Sequence, residues 1–437
     1  MSSINRRVNR FVAQNSVGTM VPSTSTYDQL KRVTLASMLW EDQFYLDGKS
    51  HAELVRDLVA KAQPEQVADL AEMARSKFKL RHIPLLLARE LARNGRLQAK
   101  TLTNIVQRPD EMSEFLSIYW QEGKTAVSNQ VKRGLAACFN KFNEYQLAKW
   151  NKNRAAVKLR DVMFISHPKP QSAEQAELFK RIASDTLETP DTWEVQLSAG
   201  ADKCATFTRL MQEKKLGALA FLRNLRNMTQ AGVAESLIRE YGATVDVSKV
   251  LPFRFIAAAR IVPQFEDMLE QMMFRALADQ PKLPGKTVLV IDVSGSMFGA
   301  PISQKSDLDR FDAAAALAIL CREICEQVEI YSFSHDAVRV APRRGFALVE
   351  AISKSQKHGG TQLGQSMHTI NAQTSYDRVI VFTDEQSYDR PQSPRGKGYL
   401  VNVASYQNGV NHSAWNEING FSEAIVDYIQ AFENQDQ

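Results

Sequence analysis

Asp292, Ser294 and Ser296 occupy alternate positions where the apolar run in TVLVIDVSGSMFGA, residues 287–300, gives out. Two later stretches carry matching groups: HGGTQLG presents Thr361, and VIVFTDEQS presents Asp384 directly after another apolar run. Together they offer five hard oxygen donors, two carboxylates and three hydroxyls. Such a set suits an octahedral Mg2+ or Mn2+ rather than zinc, which takes nitrogen and sulfur ligands. With few charges around it, the ion keeps a position open for water or for an oxygen atom from a partner. Glu385, His335 and His358 lie near these groups and read as solvated or incidental neighbours.

Donors so far apart in sequence meet only where several strands end side by side. KTVLVI, VEIYSFS, AVRVAP, RVIVFT and GYLVNVAS read as strands, and helical segments such as DRFDAAAALAILCREICEQ, FALVEAISKS and FSEAIVDYIQAF lie between or after them. Apolar strands alternating with helices predict a mostly parallel sheet wrapped on both faces, a doubly wound, Rossmann-like α/β domain over residues 286–437. Ligands of such sheets bind beyond the carboxyl ends of the strands, where Asp292 and Asp384 are expected.

Ahead of this domain, residues 28–280 are helical almost throughout. AELVRDLVAKAQ, PEQVADLAEMARSK, IPLLLARELARNG and LQAKTLTNIVQR repeat apolar residues three and four apart, with breaks at Pro64, Pro84, Gly95 and Pro109. Many short amphipathic helices without a strict period predict a multidomain chain whose first part is an α-solenoid of helix pairs, in preference to a plain bundle. ADQPKLPGK, residues 278–286, reads as the junction, and residues 1–27, with Arg6, Arg7, Arg10 and no acid, as a basic N-terminal arm.

The chain has 437 residues, 44% of them apolar, enough for more than one core. No stretch approaches the roughly 20 uninterrupted apolar residues of a membrane helix, and no secretory block is seen, so a cytoplasmic protein without a membrane partner is expected. Cys138, Cys204, Cys321 and Cys325 read as core residues of a reducing compartment. Charge is segregated: from Lys286 onward 13 Lys and Arg face 18 Asp and Glu, leaving 41 against 31 before it. A basic first part attracts polyanions, although many basic helical domains bind none.

Within that basic part, FNEYQLAKWNKNRAAVKLRDVMFISHPKP, residues 142–170, gathers Lys149, Lys152, Arg154, Lys158 and Arg160 around Trp150 and ends in His167. Lys132 and Arg133 add to it from SNQVKRGLAACFNKF. These cations suit RNA phosphates, and they equally suit a solvated helix face with snorkelling side chains. In LGALAFLRNLRNMT, Arg223, Asn224 and Arg226 lie opposite a face assigned to Leu219, Leu222 and Leu225; such a trio reads splayed bases and phosphates or caps neighbouring helices.

The Asp-x-Ser-x-Ser, Thr361 and Asp384 set resembles the metal-ion-dependent adhesion site of von Willebrand factor A domains. With LRHIPLLLARE, KLRDVMFISHPKP and LRNL before it, the chain from about residue 15 resembles the TROVE-domain family, the Ro autoantigen RNA-binding proteins and their bacterial relatives. The resemblance implies a ring of HEAT-like helical pairs whose hole takes the single-stranded 3′ ends of misfolded RNAs. It also implies noncoding Y-type RNA on the outer surface and a 3′ exoribonuclease as a protein partner. Arg154 and His167 fall on positions tied to Y RNA docking, with Lys149 or Lys152 as a further one. The stretch QNSVGTMVPSTSTYDQL departs from the family's aromatic and glycine-rich opening, and Leu159 and Arg160 stand where a polar-basic pair is expected.

Catalysis is not expected. Two-metal hydrolysis needs more clustered carboxylates, and GGTQLG lacks the lysine of a phosphate cradle. The competing expectation is a metal-dependent protein-binding adaptor with the helical part as a peptide-binding scaffold.

Overall fold

A computed structural model describes residues 26–36, 48–77, 80–151, 155–248, 250, 252–299, 308–384, 389, 391–403, 415–419 and 425–433. The chain divides into two compact units, one of Ser25–Trp40 with Leu46–Ala199 and one built on Gly200–Gln437.

The first unit is helical: Thr26–Ala36, Gly48–Lys61, Pro64–Ser76, His82–Arg93, Ala99–Ile105, Pro109–Tyr119, Asn129–Phe139, Glu144–Trp150, Leu159–Ser166, Ala173–Ser184 and Trp193–Ser198. Helices touch their next-but-one neighbours: Pro64–Ser76 packs on Ala99–Ile105, His82–Arg93 on Pro109–Tyr119, and Asn129–Phe139 on Leu159–Ser166. That pattern belongs to stacked helical repeats. Local chemistry starts several of these helices. Pro64 and Pro109 sit in first turns, where no donor is lost, and Asn143 and Gln146 bond each other's backbone N–H at 2.9 and 3.0 Å. Gly134 permits a close approach of helices Asn129–Phe139 and Ala99–Ile105, since a β-carbon there would lie 2.9 Å from the Ala99 carbonyl oxygen.

Buried ion pairs pin the stack. Arg75 donates to Glu111 at 2.6 Å and to the Ile105 carbonyl, while Glu111 accepts from the backbone of Gln107 and Arg108. Arg89 bonds Glu90 and Glu122, so Arg89 and Glu90 of LRHIPLLLARE are held within the helical packing. Removing one partner from such a buried pair costs about 3–5 kcal/mol.

The second unit begins with helices Lys203–Gln212, Ala218–Gln230, Glu235–Thr244, Pro252–Ile261 and Glu266–Leu277. Strands β1 (Leu283–Asp292), β2 (Cys325–Phe333), β3 (Ala337–Arg339), β4 (Arg378–Thr383), β5 (Lys397–Asn402) and β6 (Asn416–Asn419) follow, in the sheet order β3-β2-β1-β4-β5-β6. All pairs are parallel except β2 with β3. This is the doubly wound arrangement expected, and its order reverses between β1 and β4. The sequence patterns did not reveal β6.

Helix Arg310–Ile324 lies against β1 and is buried on nearly every side, with Ala313 to Ala316 allowing close packing. Helices Pro252–Ile261 and Gly345–Ser353 cover it. Glu270 accepts the Phe346 amide at 2.8 Å, and Arg260 pairs with Asp312. Grammar changes from helices to strands at the 278–286 segment, yet the helices from Lys203 onward pack within the sheet's own compact unit. The basic arm expected over 1–27 lies outside the described residues apart from Thr26 and Tyr27.

Candidate metal site and basic cleft

Asp292 ends β1 and Asp384 follows β4, neighbours across the switch point of the sheet. Both are fully buried. Asp292 Oδ1 accepts the Ser294 amide at 2.8 Å, and its Oδ2 accepts the Thr383 hydroxyl at 2.6 Å. Desolvation pushes the Asp292 carboxyl up to about 7, with Asp384 adding repulsion and the bonds from Ser294 and Thr383 opposing it.

Ser294 and Ser296 flank the start of a single 3-10 turn, and their hydroxyls lie 3.2 Å apart. The third loop is tied alongside: the Gly295 amide donates to the Gly359 carbonyl at 3.2 Å, and Ser334 Oγ takes the Gly359 amide at 2.8 Å. A β-carbon at Gly359 would lie 2.3 Å from the His335 ring, so a larger residue there would have to displace that ring. Thr361, two residues on, is 4% exposed. His358 stacks on Phe298 with centroids 4.1 Å apart, and Phe298 stacks on Phe311 at 4.6 Å.

The loops after β1 and β4, together with the loop between helices Gly345–Ser353 and Leu363–Gln373 that carries Thr361, thus bring the hydroxyl and carboxylate donors to one end of the sheet. Among the described residues no group of three or more His, Cys, Asp or Glu is placed to hold a metal. A site for a hard cation here must draw on serine and threonine hydroxyls, which this donor set supplies. One residue was missed by sequence reading: Arg310, 8% exposed, donates to Asp384 Oδ2 at 2.9 Å and to the Ser296 carbonyl at 3.2 Å.

The helical unit holds a different arrangement. An open cleft of about 600 Å³ is lined by Asn129, Lys132, Arg133, His167, Lys169 and Gln171 among others, and among the described residues no carboxylate lines it. Ser128 starts the helix carrying Lys132 and Arg133 by accepting the Val131 amide. His167 ends helix Leu159–Ser166 in the left-handed region, φ 50, which turns the chain so that Lys169 follows on the same wall.

Lys132, Arg133 and His167 are therefore brought together, with Lys169 as an addition. Lys149, Lys158 and Arg160 are not among the residues lining the cleft. Lys149 lies over the rings of Tyr145 and Trp150 at 5.7 and 6.0 Å, and Arg108 stacks on Trp150 at 3.6 Å. The Lys158 amide donates to Asp161, opening the next helix, which carries Arg160. Lys152, Arg154 and Glu385 lie outside the described residues.

In helix Ala218–Gln230, Arg223 and Arg226 are exposed, whereas Asn224 is 1% exposed and bonds the Ala220 carbonyl and the Asn227 amide. Asn224 thus belongs to the interior of the unit. The apolar face also needs revision, since Leu219 is 44% exposed while Phe221, Leu222, Leu225 and Met228 are buried.

Comparison with known proteins gives two family matches, the TROVE domain over residues 180–297 and the Ro60 vWA domain over residues 286–396. The crystal structure of the Deinococcus radiodurans RO (RSR) protein superposes with a TM-score of 0.68 over 93% of this chain and 99% of that one, at 20% identity. The two domain matches and the shared fold agree with the TROVE-family resemblance read from the sequence. A shorter likeness joins it to mouse (Mus musculus) telomerase protein component 1, 32% identical over 89 residues. That segment is 19% of this chain and spans about 3% of the relative's length.

The TROVE match contains Arg223 and Arg226 and lies mostly in the second unit, while the cleft at Lys132 and His167 lies upstream of it. The Ro60 vWA match contains Asp292, Ser294, Ser296, Thr361 and Asp384. Fold class therefore agrees with expectation: TROVE-type helical repeats followed by a doubly wound von Willebrand A sheet. Among the described residues no helix is long and apolar enough to cross a membrane.

Proposed function

We propose that this TROVE-domain protein is a non-catalytic RNA carrier of noncoding-RNA ribonucleoproteins in the cytoplasm. In this reading structured Y-type RNA docks on the outer face of the helical repeats, and single-stranded 3′ ends of misfolded RNAs enter the hole of the ring that the resemblance implies. A 3′ exoribonuclease is the protein partner to which such RNA is handed.

The observation that carries the docking part is the cleft itself. Lys132, Arg133 and Lys169 surround it with His167, and no lining carboxylate opposes them. An unopposed cationic cleft gathers phosphates and releases their counterions, which gives affinity without base readout. Elsewhere in the helical unit, Tyr145 is 45% exposed with Lys149 above its ring, and Phe164 is 56% exposed on the helix that ends at His167. An exposed ring, with or without a cation beside it, suits an unpaired base.

In the von Willebrand unit, Asp292, Ser294, Ser296, Thr361 and Asp384 are proposed to hold Mg2+ or Mn2+. When bound, the ion supplies an electrostatic contact for an acidic or phosphate oxygen of a partner. Asp292, held by Ser294 and Thr383, keeps the loop of β1 in place for it.

Binding of the full chain to a hairpin RNA and to the same hairpin with a single-stranded 3′ tail, measured by fluorescence anisotropy across a salt series, tests the reading. Tight binding with a steep log–log salt slope is expected for both. A flat slope, or no retention at low ionic strength, overturns it in favour of the protein-binding adaptor.

A further inference from the structure

Arg310 is an unfavourable residue where it stands. It is the first residue of helix Arg310–Ile324, the end at which the helix dipole is positive and a cation is disfavoured. Its side chain is 10% exposed, and a guanidinium stays protonated at any working pH. Burial of such a charge requires a partner, and Asp384 provides it at 2.9 Å.

The placement is built rather than incidental. Asp309 caps the helix by accepting the Asp312 amide at 2.9 Å, and its other oxygen accepts the Gly299 amide at 3.1 Å. The cap thereby ties the start of the helix to the loop that carries Ser294 and Ser296. Phe311 stacks on Phe298 in that same loop, and Asp312 is held by Arg260. Through these contacts the guanidinium is directed between Asp384 and the Ser296 carbonyl.

We propose that Arg310 is a tethered competitor of the divalent cation: it balances Asp384 in the metal-free protein, and loading of the site requires its guanidinium to leave Asp384 Oδ2. The inference rests on the reading of Asp292, Ser294, Ser296, Thr361 and Asp384 as a divalent-cation site. A cation of the protein and a divalent ion repel each other and share one carboxylate, so each weakens the other's hold. The metal-free fold is kept charge-balanced, and divalent affinity is set low.

Isothermal titration of the full-length wild type, Arg310→Gln and Arg310→Lys with Mn2+ alone tests this, alongside thermal unfolding with and without Mn2+. Glutamine keeps a donor for the Ser296 carbonyl and removes the charge. Arg310→Gln should bind Mn2+ at least ~10-fold more tightly than wild type, and its melting temperature should fall without the ion and recover with it. Arg310→Lys should lie between the two, and it carries the test if the glutamine variant does not fold. Equal or weaker Mn2+ binding by both variants, with wild type binding, overturns the competitor while leaving the metal site standing. If wild type and both variants all fail to bind Mn2+, the divalent reading falls and the competitor with it.

Discussion

The cleft at Lys132 and the site at Asp292 handle charge in opposite ways. In the cleft, cations line an open surface and no carboxylate is among the described residues that line it. At the end of β1 and β4, two carboxylates are fully buried and a guanidinium has been brought in to meet one of them. An exposed unopposed charge adds little to folding and much to association with a polyanion. A buried one dominates local stability, because each charge left alone in the interior is costly. Substitutions should therefore separate the two regions, with binding responding at one and stability at the other.

Asp384→Ala is the strongest test of that division. It removes the carboxylate partner of Arg310 and should cost about 3 kcal/mol in urea or guanidinium unfolding, with RNA affinity of the folded fraction unchanged. A neutral effect would mean the pair contributes nothing to the unit. Reversing the cleft, Lys132→Glu with Arg133→Glu and Lys169→Glu, should lower hairpin RNA affinity about 100-fold and flatten the log–log salt slope by about 3. Unfolding free energy should move by less than about 0.5 kcal/mol. A comparable loss of stability would show that these cations hold the helices together.

Gly134→Ala asks whether the cleft depends on the packing beneath it. A methyl group 2.9 Å from the Ala99 carbonyl must push two helices apart, and a loss of about 1–3 kcal/mol is expected in denaturant unfolding. Arg223→Ala with Arg226→Ala should have the smallest effect on folding, within about 0.5 kcal/mol. Any drop in affinity for the 3′-tailed strand beyond that for the hairpin would then assign these two arginines to single-strand binding.

Sequence reading reached the two regions unequally. Asp292 and Asp384 were legible because an apolar strand that stops in an acid marks a strand end, and parallel sheets collect such ends. The pairing of β1 with β4 then made neighbours of residues far apart in the chain. Arg310 was not legible, since in sequence it is one more charge at the start of a helix, and only packing shows that it is buried against Asp384. The division of the chain was also hidden: ADQPKLPGK marks where helices give way to strands, but side chains such as Glu270 and Arg260 bind the preceding helices to the sheet unit.

In the helical unit, residue type was informative and phase was not. Lys132, Arg133 and His167 come from separate stretches, and the left-handed turn at His167 adds Lys169, which helical periodicity could not foresee. Lys149 sits on the preceding helix, and Lys158 and Arg160 sit at the opposite end of the helix that His167 closes. Asn224 shows the reverse error. An amide beside two exposed arginines looks like a reader of bases, yet its own helix uses it.

The bond from the Thr383 hydroxyl to Asp292 spans 91 positions, which has a consequence for biosynthesis. A ribosome adding roughly 5–20 residues per second needs on the order of 5 to 20 seconds to supply that hydroxyl after the aspartate has been made. Throughout that wait the Asp292 carboxyl belongs to a nascent chain still open to water. It is enclosed only when β4 slots in beside β1, so the last central strand, rather than the first, decides when this end of the sheet closes.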